Sequence, residues 1–311
     1  MAAHIERLGR LLYDRPYVLL SLTSLFWAGN IVLGRFVAGK VPPVGLAWVR
    51  WAGSFALLIG FAWPHIRREW PIIRANLGRL TVMALTGIAI YNTMAYWGLQ
   101  YTEALNALLI QSTGPLLIAI WSLVLFRDLV TPAQAAGVVV SMAGVATILT
   151  RGDVSALAAI RFNVGDLWVL AAMVVYALYS ALLRLKPGLH WLSFLAFTVG
   201  LGAAMLTPAF LAEIASGRHM TLDLTTLLTL AYVVVFPSTL AYLFFIRGVE
   251  LIGANRAGPF FHLMPVFGAL LAILFLGERP QLFHAIGFAL VLAGVFVAAR
   301  KGRTPAAGPA A

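Results

Sequence analysis

Residues 97–128 read WGLQYTEALNALLIQSTGPLLIAIWSLVLFRD, and residues 247–278 read RGVELIGANRAGPFFHLMPVFGALLAILFLGE. Laid over each other, the two stretches match without a gap. Gly98 falls on Gly248, Ala104 on Ala254, Pro115 on Pro265 and Asp128 on Glu278. Further on, Gly137 falls on Gly287, Gly144 on Gly294, Arg151 on Lys301 and Gly152 on Gly302, always at an offset of 150 (265 − 115). Chance rarely keeps glycines, prolines and acids in one register for so long. The chain therefore reads as a duplication, with residues 1–150 as one unit and 151–311 as the other.

The composition says where such a duplication lives. Of 311 residues, 61% are hydrophobic and 11% charged, and the mean hydropathy is +0.92. Soluble domains run at about 45–50% apolar and about 25% charged, so an ordinary soluble domain is excluded. The apolar runs are each near the ~20 residues that cross a bilayer, with short charged or Pro/Gly clusters between them. Ten helical spans are expected near 17–38, 43–63, 80–98, 104–125, 132–150, 166–184, 191–212, 225–246, 255–276 and 281–299, an all-α membrane fold. The first run, Tyr17 to Ala38, is too long for the core of a cleaved leader and leads straight into more spans. The net charge of +11 could point to nucleic acid, but the basic residues sit at the ends of apolar runs, so the expected surroundings are lipid and no nucleic acid. There is no cysteine, hence no disulfide or thiol chemistry.

With the N-terminus inside, the segments between spans carry 15 Lys and Arg on the inner side and 6 on the outer, which predicts cytoplasmic termini. Five spans per unit is an odd number, so the second unit enters from the opposite side. Two inverted five-helix repeats follow, and such proteins are most often carriers whose site lies between the repeats.

None of the eleven Asp and Glu falls near the middle of these spans. That argues against a buried carboxylate relay for protons. His262 lies deep in the ninth span and reads first as a neutral histidine bonded between helices, with proton sensing as the alternative. Arg50 lies about 10 Å into the second span at ~1.5 Å per residue. It is expected to snorkel outward or to pair with a backbone carbonyl.

Prolines at matched positions, Pro115 and Pro265, are read as mid-helix breaks, and Gly114, Gly258, Pro259 and Pro237 join them as hinge or gate residues. Trp27 and Asn30 share a helical face, as do Tyr176 and Tyr179, and these pairs correspond at an offset one residue shorter. Asn92 corresponds to Tyr242, and Ser112 to His262, at the offset of 150. With Tyr96, Gln111 and Ser238 they make the candidate substrate-binding set. A wide, weakly polar, aromatic cavity without fixed charge is expected, suited to small amphiphilic solutes. Trp48, Trp51, Trp63 and Trp70 read as interfacial or lipid-facing. A membrane enzyme acting on lipid is the competing reading; it would need a carboxylate pair or metal cluster near a span end, and Asp128, Asp166 and Glu278 are scattered.

A five-span unit with a short turn after the third span, a proline in the fourth, an acid-bearing loop and a glycine-rich fifth resembles the drug/metabolite transporter superfamily, in its EamA branch. Trp97–Asp128 and Arg247–Pro280, with its Leu276-Gly277-Glu278 run, carry the resemblance. The aromatic set looks most like aromatic amino acid exporters of the YddG type. The resemblance implies a carrier in a bacterial inner membrane, working by alternating access with a central cavity between the halves, whose substrates include aromatic and other apolar amino acids and some cationic dyes or herbicides. Export of amino acids and similar metabolites by a monomer without cofactor is expected. Related small multidrug carriers use a Glu in their first span. Tyr17–Ala38 has no acid, so facilitated efflux is expected over proton-coupled export of lipophilic cations.

Overall fold

The computed structural model describes residues 13–153, 163–276 and 281–299. Within them the regular structure is helical throughout. The helices are α1 Pro16–Phe36, α2 Pro43–Ala75, α3 Leu77–Ala84, α4 Tyr91–Leu99, α5 Ala104–Gln111, α6 Gly114–Phe126, α7 Pro132–Leu149, α8 Val164–Leu182, α9 Trp191–Ala215, α10 Leu224–Val233, α11 Ala241–Ile252, α12 Ala254–Ala257, α13 Leu263–Leu276 and α14 Leu282–Ala299. A π turn, Leu85–Ile90, joins α3 to α4, and a second, Val234–Leu240, joins α10 to α11. A 3-10 turn, Gly258–His262, joins α12 to α13. Eight helical stretches are long and apolar enough to cross a membrane by length and composition. The expected third and ninth spans are helical too but fall outside those eight. Glu278, Lys301 and Gly302 of the duplicated register lie outside the described residues.

Local chemistry sets the helix ends. Thr131 opens α7 with a capping box, accepting from the Gln134 N–H while the Gln134 side chain accepts from its own. Asn163 and Asp166 do the same for α8. One boundary differs from expectation. α2 does not stop at residue 63 but continues through Pro64 and Pro71 for 33 residues, about 50 Å. A proline removes one backbone bond but does not forbid helix when outside contacts favour it. Those contacts are at the far end. Glu69 accepts from the His190 N–H at 3.0 Å, and the His65 and His190 rings stack at 4.0 Å.

α2 and α9 pack side by side and cap each other. Glu69, on α2, takes the N–H of His190, the residue that caps α9. Glu213, on α9, takes the Gly45 N–H at 2.6 Å and the Val44 N–H at 3.3 Å at the start of α2. Glu213 is thus a buried acid whose charge meets the positive end of a helix. α7 and α14 approach through glycines. A Cβ on Gly137 would lie 2.5 Å from the Gly294 carbonyl oxygen, and one on Gly144 would lie 2.7 Å from that of Gly287. α1 packs on α11, and α4 on α8.

Candidate functional site

The two π turns occupy matching places in the duplicated register, and Gly87 and Pro237 correspond at 150 (237 − 87). Pro237 has no N–H to offer the Val233 carbonyl. The Ser238 hydroxyl donates to that carbonyl instead, and Thr239 does likewise for Val234 at 2.8 Å. The wider turn leaves the Pro237 carbonyl free to accept the Trp27 Nε1–H at 3.1 Å and an Arg50 Nη2–H at 3.3 Å. In the other π turn the Gly87 carbonyl accepts the Tyr242 hydroxyl at 2.6 Å.

Arg50 is the centre of this network. Its Nε–H donates to the Ser238 Oγ at 2.8 Å, and its Nη1 donates to the Asn92 Oδ1 and to the Tyr96 hydroxyl, each at 2.7 Å. The Tyr96 hydroxyl donates in turn to the Asn30 Oδ1 at 2.6 Å, and the Asn92 Nδ2 donates to the Tyr242 hydroxyl at 3.3 Å. The guanidinium lies 4.5 Å from the centre of the Trp51 ring.

This corrects the sequence reading twice. Arg50 does not snorkel, being 1% exposed, so the region does carry a fixed charge. Trp51 is no belt residue but fully buried, edge-on to Tyr242 at 4.9 Å. The signal for Arg50 was available, since a charge inside an apolar span is costly enough to imply a use.

The rings pack beside this network. Trp27 contacts Tyr176 at 5.5 Å, Tyr242 at 5.8 Å, Phe245 at 5.2 Å and Phe261 at 5.5 Å. Tyr176 also meets Tyr91 at 4.4 Å and Tyr179 at 5.4 Å. Tyr91, Phe245 and Phe261 were not singled out from sequence, where each is one more aromatic in an apolar run. The Tyr176 hydroxyl, the Trp51 Nε1–H and the Gln111 amide are buried without a hydrogen-bond partner among the described residues.

All eleven candidate substrate residues are buried, though not in one group. Trp27, Asn30, Asn92, Tyr96, Tyr176, Tyr179, Ser238 and Tyr242 make up the network and the ring cluster. His262 turns elsewhere. Its Nδ1 meets the Ser141 Oγ and its Nε2 meets the Ser112 carbonyl at 2.7 Å, so it bridges three helical segments. Gln111 stays unpaired beside Ser112. The proline reading changes as well. Pro115 stands in the first turn of α6, after a break at Ser112 and Thr113, where its missing N–H costs nothing. Gly258 faces it across the halves, with a Cβ there 3.3 Å from the Pro115 Cα.

Two pockets lie at opposite ends of the bundle. One, about 460 Å³, lies among Phe126, Asp128, Arg184, Lys186, Glu250 and Asn255. Two ion pairs line it, Lys186–Glu250 at 2.9 Å and Arg184–Asp128 at 3.3 Å, and Arg247, itself paired with Asp14 at 2.8 Å, also meets Glu250. The other, about 350 Å³, lies among Gly39, Pro42, Gln100 and Arg218. There Arg35 donates to the Leu99 carbonyl at 3.0 Å, and the Gly39 N–H donates to the Gln100 Oε1 at 3.0 Å. Gln100 and Glu250 correspond at the same offset of 150.

A multi-span helical membrane protein with a buried polar and aromatic centre, and a pocket toward each end, has the anatomy of a solute carrier. Residues 15–150 and 163–300 match the EamA-like transporter family, and the chain belongs to it. It is 28% identical over 93% of its length to "Uncharacterized transporter YyaM" of Bacillus subtilis (strain 168), spanning 95% of that protein. An "Uncharacterized transporter" of Archaeoglobus fulgidus is 27% identical over 93% of this chain and 98% of its own. A "Probable terminal-alkyne amino-acid exporter" of Streptantibioticus cattleyicolor is 25% identical over 91% of this chain and 92% of its own. One crystal structure shares the fold with a TM-score of 0.69 at 21% identity, over 90% of this chain and 95% of that one.

Proposed function

We propose that this membrane transporter exports aromatic or apolar amino acids and similar amphiphilic metabolites, by alternating access between two inverted five-helix repeats. Substrate binds among Trp27, Asn30, Asn92, Tyr96, Tyr176, Tyr179, Ser238 and Tyr242, with Gln111 at the edge. The observation that carries this reading is the pair of π turns. Each offers a carbonyl, Gly87 or Pro237, at the same place in the register, and each carbonyl is held by side chains of other helices. Turns of this kind recur at functional sites, and irregular backbone in a bilayer is tolerated where it is buried in protein or lines a cavity. The inverted arrangement draws support from the glycine contacts. Gly137 meets Gly294 while Gly144 meets Gly287, the swapped, antiparallel pairing that a two-fold axis between α7 and α14 produces.

The rings supply the apolar body of the site, where an aromatic pair contributes roughly 0.5–1.5 kcal/mol beyond burial. The two end pockets supply the alternate mouths, closed by carbonyl and amide bonds around Gln100 at one end and by ion pairs around Glu250 at the other. A monomer in a bacterial inner membrane with both termini cytoplasmic, working down the solute gradient, completes the proposal. Arg50 weighs against lipophilic cations as cargo, since like charges repel in a low-dielectric interior. The test is counterflow of labelled L-phenylalanine in proteoliposomes, with and without a proton gradient. Exchange independent of the gradient is expected. Absence of exchange with every aromatic and branched amino acid tried would overturn the substrate reading, and strong acceleration by protons would overturn the facilitative one.

A further inference from the structure

Arg50 is the one buried Lys or Arg among the described residues, and every group bonded to it is neutral: two hydroxyls, an amide oxygen and a backbone carbonyl. No described Asp or Glu comes within ion-pair distance of it. A guanidinium has five N–H donors in a fixed fork shaped for a carboxylate, and these bonds use four. Hydrogen bonds from neutral groups solvate the charge without cancelling it, and a buried, uncompensated charge is expensive. Two further buried polar groups have no hydrogen-bond partner among the described residues: the Nε1–H of Trp51, whose ring lies against the guanidinium, and the hydroxyl of Tyr176, whose ring meets Tyr242. One free Nη2–H, a spare positive charge and unsatisfied donors therefore lie against a wall of aromatic rings.

We propose that Arg50 is the anion subsite of this transporter, and that its cargo is a monocarboxylate with an apolar or aromatic body. The carboxylate takes the free Nη2–H of the guanidinium, cancels the buried charge and gains a second N–H by drawing Asn92 or Tyr96 away from Nη1. The body lies on Trp27 and Tyr176. One cation matches one negative charge, which favours a carboxylate over a phosphate dianion. No described acid stands ready to pair an ammonium group, so the carboxylate supplies the charge recognition and a substrate amine is not essential. The inference rests on the export reading only for where the cargo enters.

The test uses purified full-length protein in detergent, with intrinsic tryptophan fluorescence as the readout. The probes are 3-phenylpropionate, its uncharged amide, 2-phenylethylamine and phenyl phosphate. 3-Phenylpropionate is expected to bind about ten- to hundredfold tighter than the amide, the range of one charge-assisted hydrogen bond. R50Q should erase that difference and R50K should keep part of it. Equal affinity of acid and amide, tighter binding of the amine or the phosphate, no binding of any probe, or an equal loss of all probes in R50Q overturns the proposal. The wild-type comparison decides even if R50Q does not fold. Acid preference without amino acid counterflow would leave the subsite standing and defeat the export reading. Amino acid counterflow inhibited equally by acid and amide would do the reverse.

Discussion

Tyr176 is completely buried and touches Trp27, Tyr91, Tyr179, Tyr242, Phe245 and Phe261, yet its hydroxyl has no partner among the described residues. Leaving a buried hydroxyl unmade costs about 1–3 kcal/mol. Tyr176→Phe should therefore raise the melting temperature of the unloaded protein in detergent while weakening the binding of polar-headed aromatic substrates. If melting temperature and affinity fall together, the hydroxyl is bonded within the protein. Tyr242→Ala is a harsher change. It removes a ring from Trp27 and Trp51 and a bond to Gly87, and affinity for an aromatic substrate should fall about 2- to 10-fold by equilibrium binding. At this scale much was legible in the sequence. Trp27 with Tyr176, and Asn92 with Tyr242, were paired by register alone, and each pair is in contact. Arg50 was read only in part: a backbone carbonyl was one of the two expected partners and Pro237 supplies it, but the neutral groups that converge on it from two other helical segments could not be read from sequence spacing.

Among the elements, the two kinds of helix interruption separate. Pro115 opens a helix, so Pro115→Ala should leave exchange rates within about twofold, there being no lost interior bond to restore. Pro237 sits inside a π turn, where its missing N–H frees Val233 for Ser238 and turns its own carbonyl to Trp27 and Arg50. Pro237→Ala should favour a regular helix and slow exchange clearly more than Pro115→Ala does, as initial counterflow rates would register. Equal rates for the two variants would count against the π turn as a working part. The sequence located both prolines but could not tell a helix start from a wide turn, since π geometry depends on outside partners for the loosened carbonyls. The glycine seam of α7 and α14 is the rigid counterpart. Gly144→Leu would force side-chain atoms into the Gly287 and Val291 backbone. Overpacking of this sort costs typically 1–3 kcal/mol, so thermal stability in detergent should drop.

For the whole molecule, the decisive property is that the two ends are fastened differently. Around Gln100 the fastening is by backbone carbonyls and an amide; around Glu250 it is by charges, with Glu250 bridging Lys186 and Arg247. The Arg184–Asp128 pair at that end is exposed, and salt screens exposed charges, so raising ionic strength should loosen the Glu250 end alone. Cysteines can be read cleanly because the chain has none of its own. A cysteine at Asn255, in the charged pocket, should gain reactivity in Glu250→Gln or at high salt, whereas one at Gly39, in the other pocket, should not. In intact cells the impermeant reagent should reach the second and not the first, given cytoplasmic termini; labelling of Asn255→Cys from outside would reverse the orientation. Eight of the ten expected spans recur as helices long and apolar enough to cross a membrane, and these were readable in advance because apolar runs of fixed length have few alternatives in a bilayer. The fastening was not, because Gln100 and Glu250 differ by one functional group in sequence and meet unlike partners in space.

The crossed caps of α2 and α9 also have a consequence in time. The acid that satisfies the Gly45 N–H is Glu213, 168 residues later in the chain, and the one that satisfies the His190 N–H is Glu69, 121 residues earlier. During synthesis the early helix leaves the ribosome with its first turn open, and it stays open until the later helix arrives; the later one finds its acid already waiting. Maturation is therefore ordered. The amino-terminal half should be short-lived when made alone and should be rescued by the other half supplied on a second transcript, unless that copy carries Glu213→Ala. Quality control would then see a half-built protein by one bare helix end.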